Sequence, residues 1–144
     1  MGKKRVITKD GGESKTGESR KAGEVKAGQR LARAVAHIQA TYNNTMITIS
    51  DDKGNGLAWS SAGSLGFSGA KKATPYAAAR VAEMVMEKVR KFGIQQMAVR
   101  VSGVGAGRDS AIRSLANQGL EIVSIRDITP IPHNGPRAKK VRRV

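Results

Sequence analysis

The sequence has no cysteine, only 3% aromatic residues and no long hydrophobic run. Without cysteine the chain can form neither a disulfide framework nor a thiolate metal site, and nothing indicates an oxidising compartment. We therefore expect a cytoplasmic protein. Charged residues interrupt every apolar stretch well before the roughly 20 residues that a membrane-spanning helix needs, so we also expect it to be soluble. The scarcity of aromatic side chains argues against a stacking platform for single-stranded nucleic acid.

Acidic residues are scarce as well. The chain has 26 Lys and Arg against 11 Asp and Glu, a net charge of +15, and such a charge concentrates polyanions at the surface. Residues 1–36 carry ten basic and four acidic side chains, and residues 126–144 carry six and one, so +11 of this charge lies at the two ends. Anionic membranes favour amphipathic basic helices with bulky apolar anchors, whereas these ends contain glycine, alanine and proline. We predict that the protein binds nucleic acid and does not bind membranes.

The 144 residues suffice for one domain of ordinary size. We divide the chain into a flexible basic N-terminal extension at 1–33, an α/β core at 34–128 and an extended basic C-terminal arm at 129–144. The extension repeats a short unit as GESK, GESR and GEVK and has almost no apolar content, so it cannot offset the entropy of ordering. Whether the extension has a function is open.

The core begins with three segments of strand-like alternation. They are AVAHIQA at 34–40, TMITIS at 45–50 and LAWSS at 57–61, joined by polar turns at 42–44 and 51–56. Alternating apolar residues separated by short Asn, Asp and Gly turns predict an antiparallel meander.

The second half of the core alternates helices and strands. Thr74 is the predicted N-cap of a helix that begins at Pro75 and runs to about Lys91. A strand at 97–102, a short helix at 109–118 and a strand at 120–126 follow, an order that favours a right-handed crossover and a parallel pair. We therefore predict an α/β fold with a mixed five-stranded sheet and flanking helices. Helical spacing also predicts an ion pair between Glu87 and Lys91.

A glycine turn, GVGAGRDS at 103–110, lies between a predicted strand and a predicted helix. It matches a dinucleotide fingerprint only in part, and the chain ends 17 residues after Asp127, too soon for a second nucleotide-binding half. A nucleotide-binding enzyme is thus a weak alternative. Free amides at a helix N-terminus beside Arg108 could bind a phosphate, or the glycines could serve tight packing. Both interpretations remain open.

The long loop AGSLGFSGAKKATP, at 62–75, has a similar character. Its glycines let a phosphate backbone approach closely, its serines donate hydrogen bonds, and Lys71 and Lys72 supply charge. It lacks the glycine-framed Lys-Ser or Lys-Thr of a P-loop. We expect Phe67 to attach the loop to the core rather than to stack on a base.

The sequence offers little for catalysis. Its two histidines, His37 and His133, have no plausible triad partners, so we expect no enzyme, no cofactor, no bound metal and no small-molecule substrate. The alternative is a divalent-metal nuclease that uses carboxylates on the sheet. Its candidate ligands are Asp51, Asp52, Glu83, Glu87 and Asp109. The first two are better explained as turn residues, and the two glutamates as a solvated helix face.

Four motifs in this order, HIQATYNNTMITISD, KKATPYAAA, GVGAGRDSAIRSL and IRDITPIPHNG, resemble the bacterial small-subunit ribosomal protein S-eleven family over residues 34–144. The resemblance implies a ribonuclease-H-like α/β fold without catalytic carboxylates and a structural role in the cytoplasmic ribosome. It also implies binding to 16S ribosomal RNA in the 30S platform near the messenger RNA exit path, with proteins S-seven and S-eighteen as neighbours.

The resemblance further implies a set of RNA-contacting residues in the first hairpin, the long loop, the glycine turn and the arm. They are Asn43, Asn44, Thr45, Ser64, Ser68, Lys71, Lys72, Arg108, His133, Asn134, Gly135, Arg137, Lys139, Lys140, Arg142 and Arg143. Two segments depart from the family pattern. The arm has Pro136 and Arg137 where the family usually has a cysteine followed by prolines, and the glycine turn has Val104 and Ala106 where prolines are common.

Overall fold

The computed structural model describes residues 30–141. Most of the predicted N-terminal extension, and the predicted RNA contacts at Arg142 and Arg143, therefore lie outside the described residues. Within the described range, no helix is long and apolar enough to span a bilayer.

Five strands form one mixed sheet. They are β1 (Arg33–Ala40), β2 (Thr45–Ser50), β3 (Gly56–Ser61), β4 (Gln96–Ser102) and β5 (Glu121–Asp127). The order across the sheet is β3-β2-β1-β4-β5. The first three strands pair antiparallel, whereas β1 pairs parallel with β4 and β4 with β5. The predicted meander, the predicted parallel pair and the mixed five-stranded sheet are confirmed, in the ribonuclease-H-like arrangement that the resemblance implies.

Two α-helices connect the parallel strands. Helix α1 (Pro75–Val89) links β3 to β4, and α2 (Arg108–Asn117) links β4 to β5. The predicted N-cap is confirmed, because the Thr74 hydroxyl accepts a hydrogen bond from the Ala77 amide at 3.3 Å. Both connections run in the same direction across the sheet, so right-handed crossovers place both helices on one face.

The predicted Glu87–Lys91 ion pair is wrong. Helix α1 ends at Val89, and the chain tightens into a 3₁₀ turn over Arg90–Phe92, so the two side chains lose the spacing of an α-helix. Lys91 Nζ lies instead 5.1 Å from the centroid of the Phe92 ring. The ion pair that α1 does form joins Arg80 to Glu83, one turn apart, at 2.6 Å.

The hydrophobic core lies between the two helices and the sheet. Alternate residues of the strands point to it, because successive side chains of a strand face opposite sides. Fully buried residues from both the strands and the helices include Ala36, Ile38, Ile47, Ile49, Val99, Val101, Val81, Val85, Ala111 and Leu115. On the opposite face, Arg100 and Trp59 are exposed and His37 is half-buried. The domain is therefore a two-layer α/β structure.

Candidate nucleic-acid interface

The predicted site segments of the core meet at one end of the sheet. Strands β1, β3, β4 and β5 point the same way, so their carboxyl ends lie together, and β2 begins there. From this carboxyl end emerge the first hairpin turn (41–44), the long loop (62–75), the glycine turn (103–107) and the C-terminal arm. In open α/β sheets, ligands bind outside the carboxyl ends of the strands. The topology thus gathers residues that are far apart in the chain.

Hydrogen bonds from the side chain of Thr41, a residue that was not predicted to have a role, hold the first hairpin turn in shape. The Thr41 hydroxyl accepts hydrogen bonds from the amides of Asn44 at 3.0 Å and Asn43 at 3.4 Å, and donates one to the Asn44 carbonyl at 3.1 Å. A hydroxyl that bonds the backbone two or three residues on is the signature of a Ser/Thr turn. Tyr42 is 78% exposed at the tip and Asn43 is exposed beside it. The turn therefore presents Asn43 to a ligand in a fixed loop.

Thr45 lies beneath this surface. Its side chain is fully buried, and its hydroxyl has no hydrogen-bond partner among the described residues. A Cβ added at Gly107 would lie 2.7 Å from that hydroxyl and 2.9 Å from Ala78 Cβ. Thr45 thus supports the contact between the hairpin and the glycine turn, and a direct contact from its side chain to RNA would require this packing to open. The side-chain oxygen of Asn44 is also buried and unpartnered.

The glycine turn packs directly against the first hairpin. A Cβ at Gly103 would overlap the Ala40 carbonyl oxygen, and a Cβ at Gly105 would overlap the Thr41 carbonyl oxygen. The Gly105 amide donates to the Ala40 carbonyl at 2.9 Å. Of the two interpretations of these glycines, tight packing is therefore present in the structure. The acidic side chain of Asp109 stands in the first turn of α2, where it opposes an anion at this helix end.

Arg108 binds within the protein. Its guanidinium donates to the Gly103 carbonyl and to the Asp127 carboxylate, each at 2.8 Å, and its side chain is 29% exposed. Asp127 also accepts from the Thr129 amide at 2.9 Å and from the Thr129 hydroxyl. The Thr129 hydroxyl and the Arg108 guanidinium together hold the pKa of Asp127 well below its usual range. The sequence interpretation placed Arg108 at the site but missed this partnership.

The long loop is built on serine hydrogen bonds and one aromatic contact. Ser64 Oγ accepts from the Ser61 amide at 3.0 Å and donates to the Ser61 carbonyl at 2.8 Å, so this predicted contact residue also shapes the loop. Phe67 packs against the core and meets Tyr76 edge to face with ring centroids 6.0 Å apart, which confirms its predicted position. Ser68 is exposed beyond it. Phe67 thus anchors the centre of the loop to the core, while Ser64 and Ser68 are exposed to solvent.

Two adjacent lysines supply the charge of this loop. Lys71 is exposed and Lys72 is half-buried. The Lys71 carbonyl accepts a hydrogen bond from the Thr74 hydroxyl at 2.7 Å, which ties the lysine segment to the cap of α1. Neither lysine forms an ion pair with the residues that the structure describes. Their charges are therefore available to a polyanion.

The arm leaves the sheet without helix or strand and is exposed along most of residues 130–141. Asn134 has a left-handed backbone with φ 54°, and a Cβ at Gly135 would lie 2.8 Å from Pro132 Cβ. Arg137 Nη2 donates to the Asn134 side chain at 3.4 Å. The other predicted contact residues described here, His133, Lys139 and Lys140, are exposed. The prolines and this turn give the arm a bend ahead of its basic part.

The acids of the alternative nuclease hypothesis do not assemble. Asp51 lies at the opposite end of the sheet, in a turn where its carboxylate accepts from the Asn55 amide and side chain, each at 2.8 Å. The Asn55 side chain lowers the pKa of Asp51. Glu83 is paired with Arg80. Among residues 30–141, no three His, Asp or Glu side chains are grouped so that they could hold a metal ion.

Basic segments gathered at one end of an α/β sheet are typical of a domain that binds a polyanion. The sequence model of the family described as Ribosomal protein S11 matches residues 34–143. The chain belongs to this family, whose members are structural proteins and not enzymes.

Individual relatives agree with the family match. The chain is 56% identical over 119 residues to the small ribosomal subunit protein uS11 of Borreliella burgdorferi, covering 83% of this chain and 92% of the relative. It is 53% identical over 119 residues to that of Acidiphilium cryptum, with the same coverage. With that of Acaryochloris marina it shares 52% over 127 residues, which cover 88% of this chain and 98% of the relative. The similarity spans nearly the full length of these relatives.

Proposed function

We propose that this protein is a structural constituent of the small ribosomal subunit that binds 16S ribosomal RNA through the carboxyl end of its sheet. The observation that carries the proposal is the convergence of the first hairpin turn, the long loop and the arm at that end. A net charge of +15 supports it, because neutralising phosphates is the main source of affinity for nucleic acid.

The three segments contribute different contacts. Lys71, Lys72 and the basic residues of the arm neutralise phosphates, which positions the protein on folded RNA without reading its sequence. Asn43 and Ser68, exposed on structured loops, hydrogen-bond ribose 2′-hydroxyls or base edges. The hydrogen bonds of the Thr41 hydroxyl and the packing of Phe67 against the core hold these loops in place before RNA binds. Preorganisation of this kind lowers the entropic cost of association.

The family suggests where this binding takes place. We place the contact in the 30S platform near the messenger RNA exit path, with proteins S-seven and S-eighteen as neighbours, in ribosomes of the cytoplasm. There the protein supports translation by holding folded RNA, with no chemical step of its own. The names of its relatives, which are small ribosomal subunit proteins, support the part of this proposal that places the protein in the small subunit.

The proposal is tested by RNA binding at several salt concentrations. The purified protein should bind a 16S fragment that spans the platform, and log Kobs should fall linearly with log salt concentration. Five phosphate contacts correspond to a slope of about −4. A flat salt response would contradict the proposal. An unrelated folded RNA of equal length and charge is the control, and equal affinity for it would contradict platform binding.

A further inference from the structure

A closed ring of hydrogen bonds joins the glycine turn to the base of the arm. The Arg108 guanidinium donates to the Gly103 carbonyl and to Asp127, and Asp127 accepts from Thr129. The Thr129 hydroxyl in turn accepts from the Gly103 amide at 3.1 Å, which closes the ring. Both backbone polar groups of Gly103 are therefore used, and every member of the ring has at least two partners.

We propose that this ring is a latch that sets the direction in which the arm leaves the sheet, with Arg108, Asp127 and Thr129 as positioning residues for RNA binding. The proposal rests on the proposed function, because it concerns how the arm meets RNA. It also assigns Arg108 a role different from that of a phosphate contact.

The position of the latch along the chain supports this role. β5 ends at Asp127, and one further ladder bond follows, from the Ile128 amide to the Val101 carbonyl at 2.8 Å. Thr129 is the next residue, and Pro130 comes directly after it. Proline fixes its own φ and restricts the residue before it. An orientation fixed at Thr129 is therefore transmitted into the arm through a stiff segment.

The latch also connects the arm to the rest of the interface. Gly103, held by both Arg108 and Thr129, packs against the Ala40 carbonyl at the start of the first hairpin turn. The loop after β3 joins the same frame, because the Ala62 amide donates to the Thr45 carbonyl at 3.0 Å. Hairpin, loop and arm are thus oriented relative to one another before RNA binds.

The test separates positioning from phosphate binding and from general stability. In the full chain, Thr129→Val removes the hydroxyl at nearly constant volume, whereas Thr129→Ser retains it as the matched control. Each is made with the native arm and with an arm of reduced charge, in which Arg137→Ala, Lys139→Ala and Lys140→Ala remove three of its five basic side chains. Affinity for the platform fragment is measured at several salt concentrations.

We expect Thr129→Val to weaken binding about tenfold with the native arm, a coupling of ordinary size, and to leave the salt slope unchanged. With the arm of reduced charge its effect should be much smaller, and Thr129→Ser should bind like the native protein. An equal loss in both arms would show a general stability effect and overturn the proposal. The proposal would also be overturned if Arg108→Gln made the salt slope shallower by the amount that one phosphate contact contributes, while Thr129→Val had no effect on binding.

A second measurement does not depend on RNA. In the free protein, the ¹⁵N heteronuclear NOE of Ile131 and His133 should fall in Thr129→Val and stay unchanged in Thr129→Ser. If the native protein binds no RNA, the proposed function fails, and a lower NOE still shows that the latch orders the arm. If the NOE of both variants equals that of the native protein, the latch is wrong whatever the RNA binding.

Discussion

Gly105 lies so close to Thr41 that any side chain at position 105 would overlap the Thr41 carbonyl oxygen. The two residues belong to the glycine turn and the first hairpin turn, which are more than 60 positions apart in the sequence. Their contact holds the first hairpin turn, a proposed RNA-binding segment, against the glycine turn through backbone alone. The interface is therefore sensitive to changes at residues that present no functional group to RNA.

Gly105→Ala should destabilise the protein, because the new methyl group forces the hairpin and the glycine turn apart. Overpacking of this kind costs about 1–3 kcal/mol. Gly56→Ala is the matched control, since nothing lies within 4 Å of a Cβ at that position and its φ is not positive. The free energy of unfolding in urea measures both. Equal stability of the two variants would show that the turn can shift at no cost.

Thr74→Ala should weaken the start of helix α1. The Thr74 hydroxyl caps the Ala77 amide and also donates to the Lys71 carbonyl, so its loss affects both the helix and the lysine segment. Removal of an N-cap costs about 1 kcal/mol. Thr74→Ser keeps the hydroxyl and should retain most of the stability. Urea unfolding of the two variants gives the comparison, and similar losses for alanine and serine would exclude the capping role.

The stability of the protein should fall as the pH drops below about 6.5, the ordinary pKa of histidine. Burial and the nearby Arg100 guanidinium lower the pKa of His37 in the folded state. The unfolded chain therefore takes up this proton first, and the stabilisation by neutral His37, complete above that pH, is lost below it. Arg100, Asp51 and Asp52 line the same hollow, and Ser50 Oγ lies 3.2 Å from His37 Nε2.

His37→Gln should thus lose less stability than the native protein between pH 7.5 and pH 5.5. Trp59, 59% exposed, can report urea unfolding by its fluorescence at each pH. Gln39→Ala is the control, because it alters an exposed residue of the same strand without changing a titrating group. If His37→Gln keeps the full pH dependence, another group is responsible for it.

The fold was predictable because its signals are local. Alternation in TMITIS marked β2, and Thr74 followed by Pro75 marked the start of α1. The burial of Thr45 was readable from the same alternation, since it shares a face with Ile47 and Ile49, both fully buried. The resemblance to the family instead placed Thr45 among the RNA-contacting residues.

The bond between Arg108 and Asp127 in the latch could not be predicted from local sequence patterns. The tripeptide Asp-Ile-Thr at 127–129 indicates a short turn in which Asp127 bonds Thr129. Its bond to Arg108, 19 positions earlier, depends on β4 and β5 pairing in parallel so that Asp127 lies opposite Val101. That register includes an irregularity between Met97 and Ala98, which no sequence pattern specified. The sequence therefore indicated a basic residue at the right place but not its partner.

Lys71 and Lys72 should contribute to RNA affinity because they place positive charge at the carboxyl end of the sheet, where we propose that RNA binds. Replacing Lys71 and Lys72 together by alanine should weaken binding to the platform fragment and make the salt slope shallower by about 0.7–0.9 for each phosphate lost. Lys53→Ala is the matched control, because Lys53 is exposed in the turn after β2, at the opposite end of the sheet. The measurement is the affinity of each variant for the platform fragment between 50 and 300 mM salt, from which the salt slopes are compared. If Lys53→Ala changes the slope as much for each lysine removed, the binding follows net charge and not the geometry of this interface.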